Sequence, residues 1–404
     1  MLVVRRVFVR VVGVCGLVVC AALVGAGVAW ADEGVITDQP YVEYYGFKNA
    51  HAVGLDGSGV TIAVLDGWVD QSVPELAGAD IESVEKCPVQ KASYDTVHAT
   101  AIASMRLSSD YGWVPRAKIM SYPLSYQETK ADKCRWETSD AIHDALSKGV
   151  DIITIQVTSD EGGNREASLA VRRAAEMGVP VVWGAGNGGN SLETTGMVTN
   201  GAVAVGAETL DQKSVEWGTY GDGMTVSAVG EGITLRDPDA SGVLSRISVN
   251  QQGTSFSTPM VSGALALGVQ KWPGASGNQL IRALIETAIP CSADGGWSEK
   301  CGYGFMDVGA FSKHPNPAAL EDSNPLLEKA QYHVKGDRIA WQEYLDGISN
   351  HGYLMYDTSY VYRGTFIPVE NKRAADRGEF GSSPRYMRRV AEAEKAAGLT
   401  PIAK

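Results

Sequence analysis

Positive charge is scarce in this chain. It has 35 Lys and Arg residues against 47 Asp and Glu, which gives a formal net charge of −12. Because nucleic-acid binding depends on a basic surface, this balance argues against that class and is the ordinary composition of a soluble protein. Beyond the first thirty residues the sequence also lacks an apolar run long enough to span a bilayer, and it contains no internal repeat or low-complexity tract.

The first thirty residues have a different character. Three arginines precede an uncharged run at 11–30, and Ala29-Trp30-Ala31 fits the small-x-small pattern of a signal-peptide cleavage site. Residues 1–31 are therefore predicted to be an export signal. This implies a secreted or cell-surface protein with no stable membrane span after cleavage. The alternative is an uncleaved anchor, since about twenty apolar residues are long enough to cross a bilayer.

Cysteine is also sparse outside this segment, where four residues remain. An even number of cysteines in an exported chain predicts two disulfides, for which three pairings are possible. Cys291 and Cys301 flank a short Gly-Gly-Trp loop, so their local bridge is the favoured pair. Cys87 and Cys134 would then form the second bridge. Free thiols are the alternative.

Short apolar runs alternate with helical patterns between about residue 56 and residue 311. The runs are rich in Val and Ile, as is typical of buried parallel strands, and lie at 60–65, 117–122, 151–157, 180–183 and 202–205. Apolar residues recur every three or four positions in predicted helices at 138–147, 166–177, 254–271 and 277–287. This alternation predicts an α/β domain at 56–311. A short N-terminal extension at 32–55 precedes it, and a C-terminal extension at 312–404 follows.

Ser255 follows Gly253-Thr254 and opens a small, apolar helical run. A serine at a helix start is often only an N-cap. As a nucleophile it would need a base within hydrogen-bond reach and a third group that orients the base. Among the histidines, His98 is the one predicted to begin an apolar helix directly after a loop. Asp66 ends the first predicted strand, at the edge where parallel sheets place their sites.

A glycine-rich turn after the strand at 180–183 ends in Asn187. Its amide and the backbone N–H of Ser255 could together bind an oxyanion. The same turn matches the dinucleotide fingerprint G-x-G-x-x-G, beginning at Gly184, and Glu208 follows about twenty residues later. That fingerprint requires a helix at the third glycine, whereas 190–196 is turn-like and interrupted by glycine. We therefore favour the oxyanion role.

These segments together resemble the subtilisin-like serine proteases, whose triad runs Asp, His, Ser along the chain. The resemblance covers about 56–311 and implies a three-layer α/β fold with a mainly parallel central sheet. It assigns catalytic roles to Asp66, His98 and Ser255, with Asn187 in the oxyanion hole.

Two neighbours of the triad depart from the family pattern. Members usually have Ser or Thr after the aspartate and Gly after the histidine, where this chain has Gly67 and Ala99. Neither change removes a catalytic atom. An active enzyme is therefore the favoured interpretation.

The resemblance also assigns a substrate pocket by position. Its residues are Gln156, Val157, Thr158, Gly184, Ala185 and Gly186. The family more often has Ser-Leu-Gly at 156–158, so Thr158 narrows the space beside the substrate backbone. We therefore expect a processing endopeptidase of restricted specificity that acts on protein or peptide substrates.

Three further expectations concern cofactors, lineage and the extension. Calcium is common in the family, but no loop here matches a ligand set, so no cofactor is expected. The short leader resembles the mycosin branch, whose members end in a membrane helix that this chain lacks. The alternative function is a non-catalytic subtilase-like binding module. In it, the extension at 312–404 would contact a partner. In the favoured interpretation the role of the extension stays open between wrapping the catalytic domain and binding a partner.

Overall fold

The computed structural model describes residues 34–86, 93–124, 136–158, 165–191 and 194–327, together with 329, 360–361, 365–366 and 398. The predicted signal at 1–31, most of the extension at 312–404, and Cys87 and Cys134 lie outside these residues.

A parallel sheet forms the centre of the fold. In chain order its strands are β1 (Thr61–Asp66), β2 (Asp80–Ser83), β3 (Lys118–Pro123), β4 (Ile152–Ile155), β5 (Val181–Gly184), β6 (Val203–Glu208) and β7 (Val226–Val229). Their spatial order is β2-β3-β1-β4-β5-β6-β7, and every neighbouring pair is parallel. The predicted α/β class with a mainly parallel sheet is confirmed. The sequence did not indicate β2 because its short edge segment is polar and largely exposed.

Helices cover both faces of this sheet. They are α1 (Pro40–Tyr45), α2 (Lys48–His51), α3 (Ser93–Leu107), α4 (Thr138–Ser147), α5 (Arg165–Glu176), α6 (Thr195–Val198), α7 (Thr254–Lys271), α8 (Gly277–Glu286) and α9 (Val308–Ser312). Side chains of β1 alternate between two cores: Ile62 and Val64 pack with α3, α7 and α8, whereas Ala63 and Leu65 pack with α4 and α5. The result is the expected three-layer arrangement, with β1 buried at its centre.

An antiparallel hairpin leads from the sheet to α7. It consists of β8 (Ile233–Pro238) and β9 (Leu244–Gln251). The N-terminal segment lies against it, because the Gln39 side chain exchanges hydrogen bonds of 2.7 and 3.0 Å with the backbone of Thr234. A buried ion pair between Arg236 and Glu75 (2.8 Å) fixes the same region. The described part of the extension at 32–55 is therefore packed onto the domain.

The described start of the C-terminal extension also contacts the domain. The Gln279 side chain donates to the carbonyls of Ala318 and Leu320, and Gly201 exchanges hydrogen bonds with Leu326 and Asn324. Further on, β10 (Tyr360–Val361) pairs with β11 (Thr365–Phe366). No helix within the described ranges is both long and apolar enough to cross a membrane.

The sulfur atoms of Cys291 and Cys301 lie within disulfide-bonding distance, with their Cα atoms 6.5 Å apart. This is the local pair that the sequence favours. The second predicted pair lies outside the described residues.

Candidate active site

Asp66 is the last residue of β1, and its side chain is almost completely buried. One carboxylate oxygen, Oδ1, accepts a hydrogen bond from the backbone N–H of Gly67 at 2.7 Å. The same oxygen lies 2.9 Å from Nδ1 of His98. The carboxyl end of the sheet therefore holds an acid in contact with an imidazole.

His98 lies in the second turn of α3, not at its start as the sequence suggested. The helix begins five residues earlier, at Ser93, in a polar stretch that resembles a loop in the sequence. The rigid support for the ring is thus longer than predicted. The Asp66 contact favours the tautomer with its proton on Nδ1, which leaves Nε2 as the ring nitrogen able to accept a proton.

Ser255 is the second residue of α7, and the N-cap position belongs to Gly253. The side chain of Ser255 is therefore not the helix cap. A Cβ atom placed on Gly253 would lie 3.0 Å from Ser255 Oγ and 3.7 Å from Asn187 Nδ2. The serine hydroxyl and the asparagine amide nitrogen thus converge on one bare glycine, where a side chain would obstruct them.

The carboxamide of Asn187 is oriented by the start of α7. Its Oδ1 accepts from the backbone N–H of Thr254 at 2.9 Å and from the Thr254 hydroxyl at 3.1 Å. With the oxygen held there, the NH₂ group is the part that can donate to another ligand. This role of Thr254 was not expected from the sequence, although the residue stands inside the Gly-Thr-Ser motif.

An open cleft of about 770 Å³ brings these groups together. Its lining includes Asp66, His98, Asn187 and Ser255, which come from four different elements or turns. Of the predicted pocket residues, Gln156, Val157, Thr158 and Gly186 also line it. Gly184 and Ala185 are not in this lining and are buried. The hairpin and the residue that follows it add lining residues that the sequence did not indicate: Leu235, Asp237, Pro238, Gln251 and Gln252.

Hydrogen bonds join the two walls of the predicted pocket. The Thr158 hydroxyl donates to the carbonyl of Gly184 at 2.9 Å, and the Trp183 indole N–H donates to the carbonyl of Val157 at 2.6 Å. Gly186 has a φ of +113° and a backbone close to the Thr158 methyl, which would lie 3.2 Å from a Cβ at that position. Thr158 therefore occupies the space between the walls.

The Gln156 side chain is directed into the protein, although the residue lines the cleft. The hydrogen-bond network orients its carboxamide so that the nitrogen donates to Leu65 O at 3.3 Å. The oxygen then accepts from Thr154 at 2.6 Å and from Arg106 at 2.8 Å. This residue can contribute to the cleft mainly through its backbone.

The dinucleotide alternative does not fit this geometry. No helix opens at Gly189 in the described chain, and the nearest helix, α6, has four residues and begins at Thr195. Glu208 is fully buried, and burial raises its pKa to about 9, so it is not placed to bind a ribose. Within the described ranges, no group of three or more Asp, Glu, His or Cys side chains could hold a metal ion.

Comparison with known proteins gives the family. Residues 57–304 match the subtilase family. A thermostable alkaline protease of Halalkalibacterium halodurans is 27% identical over 251 residues, covering 61% of this chain and 67% of that protein. Subtilisin E of Bacillus subtilis is 28% identical over 247 residues, covering 59% of this chain and 62% of the subtilisin. The chain thus spans about two thirds of the length of these relatives.

Solved structures agree with this match. A prenylagaramide maturation protease superposes with a TM-score of 0.56 at 25% identity, covering 67% of this chain and 98% of that one. The two folds therefore correspond over nearly the whole of the maturation protease.

Proposed function

Because the chain belongs to the subtilase family of subtilisin-like serine endopeptidases, we propose that it is an exported endopeptidase that cleaves peptide bonds through Asp66, His98 and Ser255. The observation that carries this proposal is the 2.9 Å contact between His98 and Asp66, in the cleft that Ser255 also lines. The proposed peptidase domain is 56–311.

In the proposed reaction, Ser255 Oγ attacks the scissile carbonyl carbon while His98 Nε2 takes the hydroxyl proton. The imidazolium that forms is stabilised by the Asp66 carboxylate and then gives its proton to the leaving amine. A water molecule next attacks the acyl-enzyme ester, with His98 again accepting a proton. The second tetrahedral intermediate then collapses and releases the carboxylic acid, while His98 returns its proton to the serine oxygen.

The oxyanion of each tetrahedral intermediate would be bound by Asn187 Nδ2 and the backbone N–H of Ser255. The orientation of the Asn187 carboxamide by Thr254 supports this role, because a donor that is already aligned needs no reorganisation when charge develops. The N-terminal position of Ser255 on α7 adds the positive end of the helix dipole.

A restricted specificity follows from the position of Thr158. Its hydroxyl bridges to Gly184 and its methyl faces Gly186, so a side chain fills space that glycine would leave open. A large P1 side chain would have to displace this bridge. We therefore expect acceptance of a few small P1 residues, as in a processing protease.

Thr158→Gly tests this specificity. It is expected to broaden cleavage of a diverse peptide library toward larger P1 residues. Thr158→Ser retains the hydroxyl bridge, so its range of accepted P1 residues should stay narrow. An unchanged profile in Thr158→Gly would contradict the proposed role.

Fluorophosphonate labelling tests the enzyme proposal itself. The wild-type protein is expected to react and Ser255→Ala to be inert. Ser257→Ala is the matched control, since Ser257 is a buried serine two residues further along α7. A folded wild-type protein that does not react with the probe would contradict the proposal and favour the non-catalytic binding module.

Export is part of the proposal because residues 1–31 contain a basic start, an uncharged apolar run and a small-x-small cleavage pattern, the three parts of a signal peptide. Intact-mass measurement of the secreted product checks it. A product that retains residues 1–31 would favour the anchor.

A further inference from the structure

A fully buried arginine lies behind the proposed triad. Arg106 is on α3 eight residues after His98, about 12 Å further along the helix. Its Nη1 donates to the carbonyl of Ile102 at 3.1 Å, one turn back. The guanidinium is therefore folded toward the end of the helix that carries His98.

The guanidinium joins three elements of the site. Its Nη2 donates to the hydroxyls of Thr154 on β4 (2.8 Å) and Ser262 on α7 (3.0 Å). The carboxamide oxygen of Gln156 lies 2.8 Å from the same nitrogen. These elements carry the pocket wall and Ser255, and α3 carries His98. All of these acceptors are neutral, so none of these hydrogen bonds neutralises the buried cation.

Asp66 presents the complementary problem. Its Oδ1 is bound by Gly67 and His98, whereas its Oδ2 is buried and has no hydrogen-bond partner among the described residues. Family members commonly have Ser or Thr directly after this aspartate, whereas this chain has Gly67. Burying a carboxylate with one oxygen that accepts no hydrogen bond lowers the stability of the fold by several kcal/mol unless a nearby charge compensates it.

The charges of Arg106 and Asp66 act on each other. Burial lowers the pKa of Arg106 to about 9, and the negative charge of Asp66, followed by the phenol of Tyr41, opposes that change. Arg106 therefore stays cationic at neutral pH. Within the described chain, Asp66 from β1 and Tyr41 from α1 are the titratable groups that act electrostatically on Arg106.

We propose that Arg106 is a positioning residue of the triad: it compensates the charge of Asp66 from inside the protein and fixes α3, β4 and α7 relative to one another. The proposal rests on the proposed function. It assigns to a distant guanidinium part of the task that a hydroxyl next to the aspartate performs in other members of the family.

The test is the pH dependence of kcat/KM for a peptide substrate, measured for Arg106→Met. Loss of the cation favours the imidazolium form of His98, which stays paired with Asp66. The acid limb is therefore expected to move to higher pH by on the order of one pH unit, because a buried unit charge carried by the same helix acts on the imidazole. We also expect kcat to fall at least about tenfold, because the reacting groups are less well aligned.

Two variants separate this role from a purely structural one. Arg106→Lys keeps the charge but not the planar fork, so its acid limb should coincide with that of the wild type while kcat falls. Arg172→Met removes a buried arginine from α5, on the opposite face of the sheet, and should leave the acid limb in place. An Arg106→Met acid limb that coincides with the wild type would overturn the proposal, even if the melting temperature falls.

If Arg106→Met does not fold, Arg106→Lys decides: a folded lysine variant with a displaced acid limb would overturn the proposal. Gly67→Ser added to Arg106→Met is a further check, because a new hydroxyl donor beside Asp66 should recover part of kcat. The failure of the proposed function is distinguishable, since it would appear as a wild-type protein without Ser255-dependent labelling.

Discussion

Glu208 gives the fold a strong dependence on pH. It ends β6, is fully buried, and its Oε1 accepts from the phenol of Tyr45 at 3.0 Å. The Tyr45 oxygen in turn accepts from the backbone N–H of Val229 at 2.9 Å. Burial raises the pKa of Glu208 to about 9, and the hydrogen bond from Tyr45 opposes this only in part. At neutral pH this acid is therefore protonated and helps to hold the N-terminal segment.

The sign of the effect follows from proton binding. The usual pKa of a glutamate is 4.5, so between pH 4.5 and about pH 9 the folded state holds a proton that the unfolded state has lost. The stabilisation is fully present below pH 4.5 and is lost as the pH rises through about 9. In this window the free energy of unfolding falls by about 1.4 kcal/mol per pH unit, or about 3 kcal/mol between about pH 6 and about pH 8.

Glu208→Gln removes this titration and keeps an oxygen that accepts from Tyr45. We would measure urea unfolding at about pH 6 and about pH 8 in a Ser255→Ala background, so that the proposed nucleophile is absent during the measurement. The glutamine variant should lose about 3 kcal/mol less over this interval than the background protein. Glu216→Gln, at an exposed glutamate, is the control and should behave as the background does. Equal pH dependence in Glu208→Gln and the background would refute the reasoning.

Two further predictions concern the oxyanion donor and the packing of α7. Asn187→Ala should lower kcat roughly 100- to 1000-fold with little change in KM, the scale known for removal of such a donor in subtilisin. Steady-state kinetics on a peptide substrate checks this, and an effect confined to KM would argue against the assignment. Gly263→Ala should lower the free energy of unfolding by about 1–3 kcal/mol, because its Cβ would lie 2.6 Å from the Cβ of Trp113. Urea unfolding of the Ser255→Ala background measures it, and a gain in stability would contradict the packing argument.

The sheet was predictable because its strands are buried on both faces. Such strands must be apolar throughout, so β1, β3, β4, β5 and β6 appear in the sequence as Val- and Ile-rich runs. The edge strand β2 has no such constraint, and its polar sequence gave no signal. The same limit placed the start of α3 too late, since the polar residues that open the helix resemble a loop.

The candidate site divides in a similar way. Asp66, His98, Asn187 and Ser255 could be proposed from the sequence because each stands at a strand end, near a helix start or in a glycine-rich turn. Two features could not be expected from the sequence: the hydrogen bond from the Thr158 hydroxyl to Gly184 and the inward direction of the Gln156 side chain. The first depends on β4 lying beside β5 and the second on β4 lying beside β1, and no local pattern encodes these neighbour relations.

The sequence alone determined the class of fold, the order acid, histidine, serine along the chain and the family resemblance, because local periodicity and short motifs carry that information. The tertiary structure decided which groups share a dielectric environment. Arg106 looks like an ordinary cation in the last turn of a helix, and Glu208 like an ordinary surface acid. Burial makes Arg106 a fixed charge behind Asp66 and keeps Glu208 protonated. The burial of both side chains depends on how the whole core is assembled.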